Sequence, residues 1–191
     1  MKKVLIGCGL AICLSFAPAQ ANEYAAGLNK LAQEQIKVFA QSPEVISAIK
    51  AQNAETAGFD EAKIIELDKK WRAETDVSDQ PMIESVLGRT VSKQLADVQD
   101  ASDGLFTEIF VMDAKGLNVG QSEVTSDYWQ GDEAKWKETF LVGPDALHLG
   151  DVEEDASTQT FQSQVSMAVT DPDSGSVIGA ITVGVNVELV E

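Results

Sequence analysis

The side chains best suited to bind a small molecule are concentrated in residues 126–136, which read SDYWQGDEAKW. This stretch places two Trp residues and one of the two Tyr residues next to several charged side chains, in a chain that is only 6% aromatic. Rings with a polar edge and one cation fit a small polar ligand, because the rings supply apolar contact and the cation attracts charge. The pattern predicts that Tyr128, Trp129 and Lys135 line a ligand pocket.

Gly131 divides this stretch into two parts. A short helix is expected after it, with Asp132 as the N-cap and Phe140 near its end. Trp136 would share a face of that helix with Phe140, and its ring has two interpretations, an anchor in the core or a wall of the pocket. The two rings before the glycine are expected to form a movable wall, because glycine can act as a hinge.

Side chains that could catalyse a reaction or hold a metal are scarce. His148 is the single histidine, and both cysteines lie within the first 21 residues. A zinc site needs more His or Cys ligands than this, and no phosphate-binding loop or dinucleotide fingerprint is present. We therefore interpret His148 as structural and predict no catalytic residue, no bound metal and no cofactor. A hydrolase that uses His148 in a Ser-His-Asp triad is the third alternative for function.

Two acidic segments contain the oxygen ligands that calcium prefers. They are DPDSG at residues 171–175 and GDVEED at residues 150–155. Neither has the further acids and the distal glutamate of an EF-hand loop. The first is interpreted as a hairpin turn and the second as a solvated acidic loop.

The first 21 residues, MKKVLIGCGLAICLSFAPAQA, have the pattern of a secretory signal peptide. Two lysines precede a short apolar stretch, and the closing AQA is a small-x-small cleavage site. Lipidation of Cys8 is the alternative, since LIGC resembles a lipoprotein box. We expect cleavage after Ala21, a periplasmic location and a single domain over residues 22–191.

The charge of the chain restricts its partners. It has 31 acidic and 14 basic residues, a formal net charge of −17 at pH 7. Such a surface repels nucleic acid and anionic lipid, so neither is an expected partner. After the signal, no apolar segment reaches the roughly 20 residues of a membrane-spanning helix. No membrane span is expected in the mature chain.

Apolar spacing predicts helices in the first half of the chain and strands in the second. One helix is expected over residues 23–41, a second starts at Ser42, and a third ends near Trp71. RAETDVSDQ is expected to be a loop, and one long helix is expected from Pro81 to Asp100. From Phe106 we expect a hairpin through DAKG, a short strand at DALHLGD and a final hairpin through DPDSG. A meander of strands with one helical crossing is an α+β fold with an antiparallel sheet.

Three segments of the chain resemble the extracytoplasmic Cache sensor domains, also called PDC domains. They are EIFVMDAKGLNVGQS, the YW…KW segment and VSMAVTDPDSGSVIGAITVGVNV, and FAQSPEVISAIKAQN resembles the helix that leaves the membrane. The resemblance covers nearly all of residues 23–190. It implies a PAS-like fold, in which a long N-terminal helix packs behind a curved antiparallel sheet. It also implies a small-molecule pocket between the sheet and the loops that cross it.

The resemblance further implies a role in signal transduction. Such domains feed chemoreceptors, histidine kinases or cyclic-dinucleotide enzymes, usually from between two transmembrane helices. In this sequence a signal peptide replaces the first of those helices and the end of the chain replaces the second. A free-standing sensor that acts through a separate inner-membrane receptor, kinase or cyclase is therefore implied.

Individual positions bear on the ligand. Asp171 matches the acid that follows the penultimate strand in similar domains and often takes a ligand amine. Ala134 and Lys137 stand where members that bind amino acids carry Arg and Tyr, so binding of an amino acid is not carried over. The predicted ligand-binding residues are Tyr128, Trp129, Lys135, Trp136 and Asp171.

A structural or interaction protein is the alternative function. It would have the same fold with an empty or filled pocket, and its N-terminal helix would pair two subunits. Failure of every tested metabolite to bind would favour this alternative.

Overall fold

A computed structural model describes residues 22–154 and 160–190 of the chain. The predicted signal peptide lies outside these residues, and so does Asp155 of the acidic loop. The first half of the described chain is helical and the second half builds one antiparallel sheet, which confirms the predicted α+β fold class.

The helices follow the predicted order with two changes of boundary. Their bounds are α1 Ala25–Leu31, a π-helical turn Ala32–Ile36, α2 Lys37–Ala40, α3 Pro43–Thr56, α4 Glu61–Thr75, α5 Pro81–Leu87, α6 Thr90–Asp100 and α7 Ala134–Lys137. The hydroxyl of Ser42 accepts a hydrogen bond from the Val45 amide at 3.4 Å, as expected of an N-cap. Helix α4 extends to Thr75, so the predicted loop after Trp71 begins four residues too early.

The predicted long helix from Pro81 is wrong, because it is broken between α5 and α6. Arg89 is extended (φ −64°, ψ 149°) and precedes α6. The break turns the Arg89 guanidinium inward, where it donates to Gln52 Oε1 at 2.7 Å and to the Val119 carbonyl at 2.6 Å. The Ser92 hydroxyl donates to the Val86 carbonyl at the end of α5. Hydrogen bonds made at the break thus replace those lost from the helix.

The six strands within the described residues form one sheet. Their bounds are β1 Phe106–Met112, β2 Asn118–Gln121, β3 Leu147–Leu149, β4 Glu153–Glu154, β5 Phe161–Thr170 and β6 Val177–Asn186. The order across the sheet is β2-β1-β6-β5-β3, with β4 also paired to β5. The order is not a simple meander, because β6 returns to the centre and pairs with β1, where both strands have hydrogen-bonded neighbours on each side.

One face of the sheet, called here the inner face, packs against the helices. Alternate residues of the central strands, such as Ile109, Val111 and Val183, are completely buried there together with Leu28 and Ile49 from the helices. This alternation is what a half-buried strand requires. The main hydrophobic core therefore lies between the sheet and α1, α2, α3 and α6.

The opposite face, called the outer face, is crossed by residues 122–146, which are called the crossing segment. Phe110 and Met112 of β1 are buried on this face with Ala180 of β6. The crossing segment carries α7, which contacts β5 and β3. It joins β2 at one edge of the sheet to β3 at the other, so its side chains cover the outer face.

Candidate functional site

A row of side chains lies on the outer face beneath the crossing segment. Phe110 on β1 is opposite Thr182 on β6, Thr182 is opposite Ser166 on β5, and Ser166 is opposite His148 on β3. Directly opposed residues of antiparallel strands point to the same face. The hydroxyls of Ser166 and Thr182 share a hydrogen bond of 2.9 Å and are completely buried. Small polar groups thus lie between an aromatic ring and the single histidine.

Lys135 of α7 lies above the Phe110 end of this row. Its ammonium nitrogen is 5.3 Å from the centre of the Phe110 ring, within the range of a cation–π contact. It also forms an ion pair with Glu133 at 2.9 Å, and its side chain is 16% exposed. The predicted cation is therefore at the site, but a carboxylate already neutralises it.

A cavity of about 280 Å³ lies beside Lys135. Two larger cavities, of about 560 and 640 Å³, lie elsewhere on the protein. The smaller cavity lies where the crossing segment meets β5 and the loop between β3 and β4. Its lining residues are Glu133, Lys135, Gly150, Asp151, Glu153, Gln162 and Gln164. Three carboxylates and two carboxamides converge on one ammonium group, so this cavity offers mainly hydrogen-bond acceptors and negative charge.

The acids and amides of this cavity are not among the ligand-binding residues predicted from the sequence. Gln162 and Gln164 lie at alternate positions of β5, in a strand whose intervening residues are largely buried. The Gln164 side chain donates a hydrogen bond of 2.8 Å to the carboxylate of Glu108, which lies on β1. Long polar side chains at alternate positions of an otherwise apolar strand were the available signal. Asp151 belongs to the segment that was interpreted only as a solvated loop.

The Trp136 ring is neither a fully buried core anchor nor a wall of the cavity beside Lys135. It stacks on Phe140 with ring centres 4.8 Å apart, and both rings pack on Phe110 and Met112. The indole Nε1 donates to the Asp113 carbonyl at 3.1 Å. The ring remains partly exposed, so Trp136 anchors the crossing segment to the outer face without being a fully buried core residue.

The short helix after Gly131 is present but smaller than expected. It spans four residues, and Glu133 rather than Asp132 occupies the N-cap position, without a side-chain capping bond. Phe140 lies beyond its end. The stacking of Trp136 on Phe140, at i and i+4, holds the turn in place of a longer helix.

Tyr128 and Trp129, the predicted movable wall, lie against α4 and the β1–β2 turn, away from Lys135. The Asp68 carboxylate on α4 accepts hydrogen bonds from both of their backbone amides, at 3.0 and 3.1 Å. The Tyr128 ring is 5% exposed and stacks on Trp71, with ring centres 5.4 Å apart. The Trp129 indole donates to the Lys115 carbonyl at 2.9 Å. These contacts hold the two residues between α4 and the β1–β2 turn, and neither lines the cavity beside Lys135.

Burial determines the chemistry of the Tyr128 phenol. Removal from water raises the pKa of this side chain, and the nearby Arg89 guanidinium partly opposes the rise. Tyr128 thus contributes a neutral, buried group to the second hydrophobic cluster, which includes Ile64, Trp71 and Leu117.

Asp171 lies away from the other predicted site residues. Its carboxylate forms an ion pair of 3.0 Å with Lys50 on α3, on the helical side of the sheet. It also accepts hydrogen bonds from the Asp173 amide and the Ser174 hydroxyl. The hydrogen bond from Lys50 lowers the pKa of Asp171. The predicted hairpin turn is confirmed, and Asp171 closes that turn onto α3 instead of joining Lys135 and Trp136.

Within residues 22–154 and 160–190, no group of three or more His, Cys, Asp or Glu side chains is arranged to hold a metal ion. In the same residues, no helix is long and apolar enough to cross a membrane.

No protein-family model matches the chain, and no curated protein sequence matches it. Among solved structures, the sensor domain of the V. cholerae histidine kinase DctB is 16% identical with a TM-score of 0.38, over 86% of this chain and 57% of that one. The E. coli DcuS sensor domain is 15% identical with a TM-score of 0.45, over 85% and 93%.

A third similar structure is the ligand-binding domain of the P. aeruginosa amino acid chemoreceptor PctC, solved in complex with GABA. It is 16% identical with a TM-score of 0.41, over 84% of this chain and 61% of that one. The chain thus spans about three fifths of the DctB and PctC domains. All three are sensor or ligand-binding domains. The ligand and partner of this chain are inferred from its own residues.

Proposed function

We propose that the chain is a Cache-type sensor domain that binds a small molecule on its outer face and signals through a separate membrane protein. The observation that carries this proposal is the cavity of about 280 Å³ between the crossing segment and β5. Its walls come from two parts of the fold that are far apart in sequence. A ligand held between them would favour one position of the crossing segment over others, which is how binding changes a conformational equilibrium.

The charges around the cavity favour a cationic or zwitterionic ligand that carries an amine. Glu133, Asp151 and Glu153 line it together with a single ammonium group, that of Lys135. Since Lys135 is paired with Glu133, the remaining field is negative.

The periplasm is the proposed location. The support is the pattern of the first 21 residues, in which two lysines, a short apolar stretch and a small-x-small site follow one another. Intact-mass measurement of the protein recovered from a periplasmic fraction tests the proposal. A mature chain that begins at Asn22 is the expected result, and a retained N-terminus or acyl chains on Cys8 would contradict it.

The ligand is tested with a thermal-shift screen of small amines, amino acids and carboxylates on the purified protein. An amine that raises the melting temperature should lose most of its effect in Asp151→Asn, because that change removes a carboxylate from the cavity wall. Asp145→Asn is the matched control, since Asp145 is exposed in the crossing segment and does not line the cavity. Lys135→Met should preserve or strengthen binding of the amine.

Two results would contradict this ligand class. One is a carboxylate ligand whose binding is abolished by Lys135→Met. The other is an amine whose binding is weakened equally by Asp151→Asn and Asp145→Asn, because the effect would then come from net charge and not from the cavity.

The stacked rings of Trp136 and Phe140 favour the alternative function. They fill the part of the outer face above Phe110 and Met112. A structural or interaction protein would need no ligand there. The absence of any thermal shift in the screen, together with stable self-association in sedimentation experiments, would support this alternative.

A further inference from the structure

Asp113 touches both sides of the sheet. It follows the last residue of β1 and is completely buried. On the outer side, its carbonyl accepts the indole N–H of Trp136 at 3.1 Å. Its side chain points the other way, toward α3. One residue thus joins the crossing segment to a helix of the inner face.

The carboxylate of Asp113 binds two side chains of α3. Oδ2 accepts hydrogen bonds from Gln52 Nε2 at 3.1 Å and from the Thr56 hydroxyl at 2.9 Å. Oδ1 accepts the backbone amides of Lys115 and Leu117, at 2.8 and 2.9 Å, which fixes the turn between β1 and β2. All four bonds depend on one position of the Asp113 side chain.

The chain of hydrogen bonds continues from α3 to α6. Gln52 Oε1 accepts from Arg89 at 2.7 Å, and Arg89 is the residue that separates α5 from α6. Gln52 is 5% exposed and Thr56 is 4% exposed. Water cannot readily replace a bond lost at this depth, because a buried polar group without a partner is costly.

These contacts form an uninterrupted connection from Trp136 through Asp113 and Gln52 to Arg89. All three of its links are hydrogen bonds, one from a side chain to a backbone carbonyl and two between side chains. The Trp136 ring cannot leave the outer face without releasing the Asp113 carbonyl. The same carbonyl also accepts the Gly116 amide at 3.0 Å, so the indole bond acts directly on the turn whose geometry positions the carboxylate for α3.

We propose that Asp113 is a coupling residue that makes the stability of α3 depend on the position of α7. Displacement of α7 weakens the Gln52 and Thr56 bonds and loosens the second half of α3. The reverse also holds, since coupling between two sites is reciprocal. The coupling goes beyond ligand binding and exists whatever occupies the cavity beside Lys135.

Hydrogen exchange measured by mass spectrometry on the full protein tests the coupling without a ligand. Trp136→Phe keeps an aromatic ring next to Phe140 but removes the indole donor to Asp113 and part of the stacked ring area. Exchange in residues 49–56 of α3 should rise roughly threefold to tenfold, as expected for the loss of about one hydrogen bond. Trp129→Phe is the matched control, because it removes the indole bond to Lys115 in the same turn. It should leave exchange in α3 unchanged.

The reciprocal experiment starts from α3. Thr56→Val removes the hydroxyl that binds Asp113 and should raise exchange in residues 134–140 by a similar factor. Thr75→Val is its control, because that hydroxyl donates to the Arg72 carbonyl near the end of α4 and has no link to Asp113.

Unchanged exchange in α3 for Trp136→Phe would overturn the proposal. An equal rise in Trp129→Phe would also overturn it, because the effect would then reflect general loosening of the turn. The Thr56→Val experiment decides the matter if Trp136→Phe does not fold, and unchanged exchange in residues 134–140 would then refute the coupling.

Discussion

Gly116 and Gly131 face each other so closely that a Cβ atom on Gly116 would lie 2.5 Å from the Cα of Gly131. Gly116 has a φ of 80°, and the amide of Gln130 donates to its carbonyl at 2.7 Å. The crossing segment therefore packs backbone to backbone against the β1–β2 turn. Gly131 was expected to be a hinge, but at this position it permits a close contact instead.

Gly131→Ala should destabilise the protein. A Cβ at this position would lie 2.4 Å from Trp129 Nε1 and 3.0 Å from the Lys115 carbonyl, so the bond between those two groups would be displaced. Overpacking of this kind costs about 1–3 kcal/mol of unfolding free energy. Urea denaturation measures it. Gly58→Ala is the control, because no atom lies within 4 Å of its Cβ, and equal stability of the two variants would refute the close contact.

Asp68→Ala should also destabilise the protein, because it leaves two backbone amides of the crossing segment without an acceptor. The carboxylate holds the amides of Tyr128 and Trp129 and binds Arg72 Nε at 2.7 Å. Loss of partners for buried donors costs about 1–3 kcal/mol.

The control for Asp68→Ala is Glu66→Ala on the same helix. Glu66 is exposed and pairs only with Lys63. Exposed pairs contribute about 0–1 kcal/mol, so its urea midpoint should remain close to that of the wild type. If Asp68→Ala is as stable as Glu66→Ala, Asp68 does not hold the crossing segment.

Tyr128 should make the protein sensitive to high pH. Burial raises its pKa above the ordinary value, so the neutral phenol is favoured in the folded state. The resulting stability is fully present below about pH 10, the unfolded value, and is lost as the pH rises through the folded pKa. Unfolding free energies measured above pH 10 should fall more steeply for the wild type than for Tyr128→Phe. Identical slopes would show that the phenol is accessible to water.

Asp171 should make the protein sensitive to low pH. Its pKa is lowered first by the hydrogen bond from Lys50, so the stability it contributes is present above the unfolded value. That contribution is lost as the pH falls from about 4 through the folded pKa. Melting temperatures across this range should fall less for Asp171→Asn than for the wild type. Asp173→Asn is the control and should behave like the wild type. The Asp173 side chain is 89% exposed, and its carboxylate lies 3.8 Å from the Lys50 ammonium, farther than the 3.0 Å of Asp171.

Local patterns in the sequence predicted most of the elements because each depends on neighbouring residues. Ser42 and Pro43 start α3, and the spacing of Val45, Ile46 and Ile49 gives its buried side. The alternation of Val165, Met167 and Val169 marks β5. Such signals act within a few residues of the chain and need no knowledge of what lies opposite. The break at Arg89 was missed, since its stabilising partners, Gln52 and Val119, are more than 29 residues away.

The candidate site could be predicted only in part. The aromatic and charged residues of segment 126–136 predicted a ligand pocket, and Lys135 of this segment does line a cavity. The roles of its rings could not be read from that composition. Tyr128 is a core residue because its backbone amide donates to Asp68 and its ring stacks on Trp71, both on α4. Asp171 turned toward Lys50 for the same kind of reason, since a charged side chain takes the partner that the fold brings near.

The sequence by itself determined the acidic charge, the cysteine-poor composition, the order of helices and strands and the turns at Gly116 and Gly175, because these follow from residue type and short-range backbone preference. Only the tertiary structure decided which strands are neighbours, which acids surround Lys135 and which groups Asp113 joins. Those outcomes depend on side chains that are distant in sequence and meet only when buried backbone and polar groups find their partners. The sheet order β2-β1-β6-β5-β3 brings them together, and no local pattern encodes it.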